Sequence, residues 1–230
     1  MEKLVYLLWR DAGDDAGRFA QRLREQAGPE LIALGARDVV LHVADGAADL
    51  GASVPVRDER DLFAGTASFW LPCVDDAPRF EAALAHAAAR RAGYLVTESV
   101  PRDLARRDWQ PGERSPGLVL ISAFPQPARL ARAEFIARWH GSHTPLALEV
   151  HPLWRYVRNV VARALTPGAA ELAGIVEEHV REPADLLDPL RFYGGAERAA
   201  GNMQRILADA KSFLDLEHVT SVVTSQYVLS

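Results

Sequence analysis

The chain has 230 residues, 49% of them hydrophobic and 25% charged, so it is long enough for one large domain or two small ones and has the composition of a folded protein. A net charge of −5, with no lysine and arginine cluster interleaved with aromatic residues, argues against nucleic acid as a partner. No signal peptide and no run of 18 apolar residues is present, and the single cysteine, Cys73, excludes an internal disulfide, so we expect a soluble cytoplasmic protein without a membrane partner.

The first hundred residues predict six elements in the order strand, helix, strand, strand, helix, strand. An apolar run from Lys3 to Trp9 precedes an amphipathic helix from Arg18 to Leu34. The segment Ala44 to Gly65 is a long connection, and connections of that length are often lids or flaps. The remaining predicted elements are strands at Arg37–Ala44 and Gly65–Cys73, a helix at Pro78–Arg91 and a strand at Gly93–Val100.

The same order recurs in the second half of the chain. At an offset of 116 residues, the first predicted helix aligns with the segment Glu134 to Val150, with matches at aromatic, apolar and proline positions. We therefore predict an N-terminal repeat at residues 1–100, a linker at 101–116 and a C-terminal repeat at 117–230. The second set of elements is Gly117–Phe124, Glu134–Val150, Trp154–Ala162, Ala173–Val180, the helix Ala196–Phe213 and Val219–Leu229.

The order βαββαβ is that of a ferredoxin-like unit, whose antiparallel sheet carries both helices on one face. Two tandem units can bury their free sheet faces on each other. The predicted fold class is α+β: two ferredoxin-like repeats forming one intrachain barrel, with the helices outside and a cavity between the sheets. Exposed strand edges would allow such a chain to associate further into a homodimer.

A motif in the second repeat carries a family resemblance. It consists of a Phe-x-x-x-Trp helix that ends in His-x-Pro-Leu (Phe135 to Leu146), then Tyr-Val-Arg-Asn (Tyr156 to Asn159), then Gly174 and Glu177. With these residues, Gly117 to Ser230 resembles an EthD-type domain of the dimeric α/β-barrel superfamily. The resemblance implies a cofactor-free dehydratase, decarboxylase or cyclase acting on aromatic or polyketide-like compounds, or an accessory protein of a degradation pathway. Relatives elsewhere in that superfamily include isomerases, quinone-forming oxygenases and haem proteins, so the fold does not fix the reaction.

The titratable residues of interest lie in the second repeat. The positions of the first repeat that align with His140, His143, Glu177 and His179 hold Arg24, Ala27, Ser68 and Trp70. We therefore expect the second repeat to supply the site and the first repeat to close the cavity.

Helix and strand periodicity predict which of these side chains meet. Trp139 and His143 share one helix face, and His140 lies within reach of His143. Alternation along the third strand places Glu177 and His179 opposite its valines, which predicts that both face the cavity.

The preceding strand is more ambiguous. Tyr156 and Arg158 share one of its faces, and Asn159 lies on the other with two valines. We expect Tyr156 and Arg158 to face inward, because the valines suit packing under helices.

These residues predict a cofactor-independent lyase or isomerase that dehydrates, cyclises or isomerises a small aromatic or polyketide-like molecule by proton transfer, without cofactor or metal. His143 is the predicted proton shuttle, with Glu177 and His179 as its partners, and Arg158 stabilises a developing oxyanion. Tyr156, His140, Trp139 and Asn159 are the predicted substrate contacts.

Structural roles compete with these assignments. His143, just before a proline, can cap the last carbonyls of its helix, and His140 suits a partly exposed surface position. Trp139 fits a core position, and Glu177 can form a structural ion pair with Arg158 across adjacent strands.

Other classes of protein also remain open. The same cavity would serve a non-catalytic binding or accessory protein, or an oxygenase with or without haem. Imidazole and carboxylate also suit zinc or iron, although the usual i, i+4 histidine pair is missing from the set His140, His143, Glu177 and His179.

Overall fold

A computed structural model describes residues 1–11, 13–45 and 62–230. Within that part, the chain is an α+β protein built on a closed antiparallel barrel of eight strands. Most of the predicted flap, residues 46–61, lies outside the described residues. The strands are β1 Glu2–Trp9, β2 Arg37–Val43, β3 Gly65–Leu71, β4 Arg90–Arg102, β5 Leu118–Phe124, β6 Leu153–Ala164, β7 Gly174–Val180 and β8 Thr220–Val228.

Six helices accompany these strands in the described part of the chain. Helix α1 consists of Ala16–Arg22, a π turn at Leu23–Ala27 and Gly28–Ala33. Helix α3 repeats this construction with Arg132–Arg138, a π turn at Trp139–His143 and Thr144–Val150. The others are α2 Ala77–Ala85, α4 Ala184–Leu187, α5 Pro189–Phe192 and α6 Ala199–Phe213, and two short 3-10 turns lie at Val74–Asp76 and Leu216–His218.

One helix end differs from the sequence prediction, and one of the competing structural roles is wrong. Helix α2 stops at Ala85, and Arg90 already belongs to β4, which is 13 residues long because it pairs with β1 along its first part and with β6 along most of its length. The predicted C-terminal cap at His143 is wrong, because α3 continues through its π turn to Val150. Pro145 is the second residue of the segment after that turn, where a missing N–H is tolerated.

The strand order gives each half of the chain one sector of the barrel. The first sector has the order β4-β1-β3-β2 and the second has the order β8-β5-β7-β6. The sectors join through the antiparallel pairs β2–β8 and β4–β6. The strands of the second sector are thus connected in the same way as those of the first.

Alternation along the strands sorts the buried apolar residues into three clusters. One fills the barrel, and each of the other two lies between the outer face of a sector and its helices, so the helices are outside the barrel. No helix among the described residues is both long enough and apolar enough to cross a lipid bilayer. Representative members are Val5, Ile121 and Val222 inside the barrel, Tyr6, Leu23 and Phe69 in the first helix layer, and Phe124, Trp139 and Phe213 in the second helix layer.

Candidate active site

The structure divides the predicted constellation between two places. On β7, Glu177 and His179 point into the barrel, whereas Glu178 points toward the helices of the second sector. His143 also lies on the helix side. The predicted partnership of His143 with Glu177 and His179 is therefore wrong, because the sheet separates them.

Strand β6 faces the opposite way from the prediction. Tyr156 belongs to the second helix layer, and Arg158 Nη1 donates to Thr144 Oγ1 of α3 at 3.1 Å. Asn159 instead enters the barrel and donates from Nδ2 to Glu177 Oε1 at 3.1 Å. The inward orientation expected for Tyr156 and Arg158 is wrong, and the alternative ion pair between Glu177 and Arg158 is wrong for the same reason. The pairing of β6 with β7 sets this orientation, whereas the sequence pattern of β6 suits either face.

His143 makes its polar contact with helix α6. Its Nδ1 lies 2.9 Å from Oδ2 of Asp209, whose other oxygen accepts a hydrogen bond from the Ser142 hydroxyl. Because Asp209 accepts, Nδ1 carries the proton of the neutral ring and Nε2 is left as the basic nitrogen. Burial lowers the pKa of His143, although the hydrogen bond to Asp209 opposes the shift. His143 is therefore neutral near pH 7.

A cavity of about 90 Å³ lies beside His143, between the sheet and helices α3 and α6. Glu178 supplies a carboxyl to its wall, and no hydrogen bond or ion pair holds that carboxyl within the described residues. Burial raises the pKa of Glu178 to about 7. A neutral base and a carboxyl that is about half protonated at pH 7 therefore share one cavity, whose other walls include Ser122, Phe124, Trp139, Tyr156 and Phe213.

A glycine seats Trp139 against the sheet. A Cβ atom on Gly174 of β7 would lie 2.5 Å from Cη2 of the indole, so a larger residue there would displace the ring. Trp139 is 1% exposed and meets Phe124 edge to face, with the ring centroids 5.1 Å apart. The core position is confirmed, and the same indole lines the cavity, so its contact with a substrate stays a prediction.

His140 lies beside the cavity, not in its wall. Its ring centroid is 4.8 Å from that of Trp139, and its Nε2 is buried without a hydrogen-bond partner among the described residues. Burial, together with Arg158, lowers the pKa of His140 to about 4. It is a half-buried neutral imidazole, so the surface position is only partly right.

The second place is a polar cluster inside the barrel. Glu177 Oε2 lies 3.4 Å from His179 Nε2 and 3.8 Å from His42 Nε2, and Oε1 lies 3.8 Å from Lys3 Nζ. Burial would raise the pKa of Glu177, but the charge of Lys3 and the hydrogen bond from His179 outweigh it and hold that pKa well below its usual range. Burial lowers the pKa of His42 to about 3 and also lowers that of His179. The cluster is an ionised carboxylate with two neutral imidazoles.

Sequence reasoning missed four residues of these two sites. His42 carried a signal, as the one imidazole in the apolar strand "VVLHV", and Glu178 follows from the alternation that placed Glu177 inward. Lys3 and Asp209 carried none, because both read as ordinary charged residues at the ends or faces of their elements. The four-residue metal set is wrong, because His140 and His143 lie on the helix side of the sheet and Glu177 and His179 lie inside the barrel.

A haem group does not fit beside His143. The imidazole is of the type that serves as an axial ligand, but pockets for cofactors measure roughly 300–1,000 Å³, far more than the cavity of about 90 Å³ found here. An apolar cavity of about 150 Å³ accepts benzene, so even a single ring requires these walls to move apart.

Comparison with known proteins gives likeness of fold. No family profile and no curated protein sequence matches the chain. Among solved structures, an anthrone oxidase-like protein matches with a TM-score of 0.59 and 11% identity over 100% of this chain and 93% of that protein. A Fusobacterium nucleatum protein described as a monooxygenase matches with a TM-score of 0.54 and 10% identity over 100% and 92%. A chlorite dismutase of Candidatus Nitrospira defluvii matches with a TM-score of 0.50 and 9% identity over 99% and 91%. The chain therefore shares its fold with these solved structures.

Proposed function

We propose that this chain is an enzyme that moves a proton on a small, largely apolar, oxygenated molecule bound between β7, α3 and α6. One observation carries the proposal: His143, oriented by Asp209, and Glu178, whose pKa is raised by burial to about 7, line the same cavity. Enzymes that run acid and base chemistry in one site use two titratable groups whose pKa values are set apart in this way.

The chemical step begins at carbon. His143 Nε2 takes a proton from a carbon next to a carbonyl group, and Asp209 stabilises the imidazolium that forms. Glu178 donates a hydrogen bond to the carbonyl oxygen, where the negative charge of the enolate develops. Return of the proton to another carbon gives an isomer. Transfer of the Glu178 proton to a hydroxyl leaving group releases water and gives a dehydrated product, after which the His143 proton restores the acid.

The aromatic walls select the substrate. Trp139, Tyr156 and Phe213 line an apolar slot that accepts a ring or a short polyketide-like chain once the walls have moved apart. Ser122, which shares a hydrogen bond of 2.8 Å with Ser221, adds a hydroxyl at the sheet. In this proposal the base role of His143 is retained, and Glu178 and Asp209 replace Glu177, His179 and Arg158 as its partners.

Oxidation is a second candidate. An anthrone oxidase-like protein and a protein described as a monooxygenase share the fold, with TM-scores of 0.59 and 0.54. The same carbanion, formed at a methylene group by His143, could pass electrons to dioxygen: the methylene and one dioxygen molecule then give a carbonyl group and one water molecule. The first step and the residues are those of the isomerase or lyase.

We also propose that the chain consists of two tandem ferredoxin-like units, residues 1–100 and 117–230 joined by 101–116, the second being of EthD type. The repeated strand order and the two π turns, 116 residues apart at Leu23–Ala27 and Trp139–His143, support a duplication. We further propose a cytoplasmic protein with a small-molecule partner, which can form a homodimer.

Hydrogen exchange tests the proposed function. The protein is mixed with 2-tetralone or anthrone in deuterated buffer under nitrogen, and deuterium uptake at the activated carbon is followed by mass spectrometry. We expect uptake well above the buffer rate and its loss in His143→Gln. Uptake that is equal in the wild type and in His143→Gln would overturn the proposal. Repeating the reaction in air separates the candidates, because oxidation consumes one dioxygen per carbonyl formed and isomerisation consumes none.

A further inference from the structure

Three ligating side chains converge inside the barrel, on the other side of the sheet from His143. They are His42 of β2 and Glu177 and His179 of β7, and their ligating atoms all lie within 4.8 Å of one another. We infer that these three residues bind a divalent transition-metal ion. Two imidazoles with one carboxylate suit zinc(II), cobalt(II) and iron(II).

The geometry is close to that of a coordination site. The Glu177 Oε2 atom lies 3.4 Å from His179 Nε2 and 3.8 Å from His42 Nε2. Tetrahedral ligands about 2.0–2.2 Å from one metal ion lie about 3.3–3.6 Å from each other. The two distances from Glu177 are already near that range, and since the ligating atoms all lie within 4.8 Å of one another, a contraction of at most about 1.5 Å closes the site. All three residues are at most 5% exposed, and well-packed neighbours limit their freedom.

The hydrogen bonds of His42 set the required tautomer. Its Nδ1 lies 3.0 Å from Thr66 Oγ1, and its Nε2 lies 3.2 Å from the amide nitrogen of Gln226. Because that amide can only donate, Nε2 presents its lone pair and Nδ1 carries the proton. A metal ligand needs this arrangement, and the bound ion replaces the contact with Gln226.

An unpartnered oxygen next to the cluster supports the same conclusion. Asn159 is 0% exposed and holds Glu177 Oε1 through its Nδ2, but its Oδ1 has no hydrogen-bond partner among the described residues. A buried acceptor without a donor is destabilising. A metal ion, or a water molecule bound to it, would satisfy this oxygen.

The side chains around the site carry a net negative charge, which favours a bound cation. Lys3 and Arg155 approach Glu177 at 3.8 Å and 3.9 Å, but each also pairs with another carboxylate, Lys3 with Glu98 and Arg155 with Asp103. Two cations therefore face three carboxylates, and a divalent ion reverses the small excess of negative charge. Lys3 weakens the affinity for the ion, so its removal strengthens binding.

The ion would tie the two sectors together. His42 belongs to the first sector, and Glu177 and His179 belong to the second. Binding to the folded barrel, and not to the unfolded chain, stabilises the fold by mass action. This site departs from the sequence analysis, which predicted no metal, and it is independent of the proposed proton transfer.

Cobalt(II) is the probe. Tag-free protein with Cys73→Ser, which removes the exposed thiol, is titrated with cobalt(II) and followed by visible absorption, and zinc(II) binding is measured by equilibrium dialysis. We expect one equivalent bound at micromolar concentration, a higher melting temperature, and at least a 100-fold loss of affinity in His42→Asn and Glu177→Gln. The matched controls His86→Asn, His218→Asn and His143→Gln keep the wild-type affinity.

Two further measurements cover variants that do not fold. X-ray absorption at the zinc edge of the Cys73→Ser protein should show two imidazoles and oxygen donors, and Lys3→Met should bind cobalt(II) several-fold more tightly. Failure to bind either ion at millimolar concentration, unchanged affinity in a folded His42→Asn, or fewer than two imidazoles on zinc would overturn the inference. Loss of metal binding with deuterium uptake intact leaves the proposed function standing, so the two proposals fail separately.

Discussion

The two helix layers of this protein share a backbone arrangement and differ in what fills it. Each has a long helix with a π turn, at Leu23–Ala27 in the first layer and Trp139–His143 in the second. In the first layer Tyr6 stacks on Phe69, with centroids 5.7 Å apart and planes 9° apart. The corresponding strand positions of the second layer hold Ser122 and Glu178, and there a cavity opens.

The difference shows what turns a packed layer into a candidate site. A π turn by itself does not make one, because the first π turn packs Leu23 and Ala27 at 0% exposure. The second layer replaces two stacked rings by a hydroxyl and a carboxyl, and it places an imidazole where the first has an alanine. We infer that the functional difference comes from three side-chain differences between two layers that share one backbone arrangement.

Substitution of His143 or of its partner Asp209 should have the largest effect on activity. His143→Gln should lower kcat/KM for deuterium exchange by about 10²–10⁴-fold, since the general base is lost. Asp209→Asn should cost less, because the imidazole remains. The matched control is Glu81→Gln in the first layer, where Glu81 accepts hydrogen bonds from the Tyr6 and Thr166 hydroxyls. A comparable loss in Glu81→Gln would contradict the assignment of chemistry to the second layer.

Truncating a core side chain should destabilise the protein equally in either layer, but it should slow deuterium exchange only in the second layer. Leu23→Ala and Trp139→Leu should each lower the free energy of unfolding by about 3 kcal/mol in urea denaturation, because both side chains are fully buried. Only Trp139→Leu should also slow exchange, since the indole lines the cavity. If folded Leu23→Ala slows deuterium exchange as much as Trp139→Leu does, the two layers are coupled and the assignment of chemistry to the second layer alone is wrong.

The raised pKa of Glu178 should make the free energy of unfolding depend on pH. Its pKa is raised on folding to about 7, so the stability that it contributes is complete below about pH 4.5 and is lost as the pH rises through 7. Glu178→Gln should therefore raise the free energy of unfolding at pH 8 by about 1–2 kcal/mol, allowing for its partial exposure, and change little at pH 4.5. An equal effect at both pH values would mean that Glu178 titrates normally.

The pH profile of exchange should give the smallest but most specific effect. Activity requires neutral His143 and protonated Glu178. As the pH is raised, kcat/KM should therefore increase at pH values below 6.5, where His143 loses its proton, and decrease near pH 7, where Glu178 loses its proton. Glu178→Gln should remove the alkaline fall and keep the acid rise. A profile that is flat on the alkaline side in the wild type would exclude Glu178 as the acid.

The sequence was sufficient to predict the strands, the main helices and a barrel with its helices outside, because apolar periodicity and the internal offset point to the same elements. On β7 the two valines indicated the buried outer face, and the inward position of Glu177 and His179 is confirmed. On β6 the same reasoning failed, since Tyr156 is as well suited to a helix layer as the valines are.

The site was harder to predict because its parts are brought together only by the tertiary structure. His143 and Asp209 are 66 residues apart and meet because α3 packs against α6. His42 meets Glu177 only because β2 and β7 face each other across the barrel. One residue of register on β7 decides whether Glu177 or Glu178 faces the helices, and a single sequence does not show which of the two does chemistry.

Nuclear magnetic resonance titration of the wild type tests the central claim most directly, by following the ring nitrogens of His143 and the side-chain carboxyl carbon of Glu178. We expect His143 to be neutral at pH 7 with its proton on Nδ1, and Glu178 to titrate with a midpoint near 7. An imidazolium at pH 7, or a Glu178 midpoint near 4.5, would contradict it.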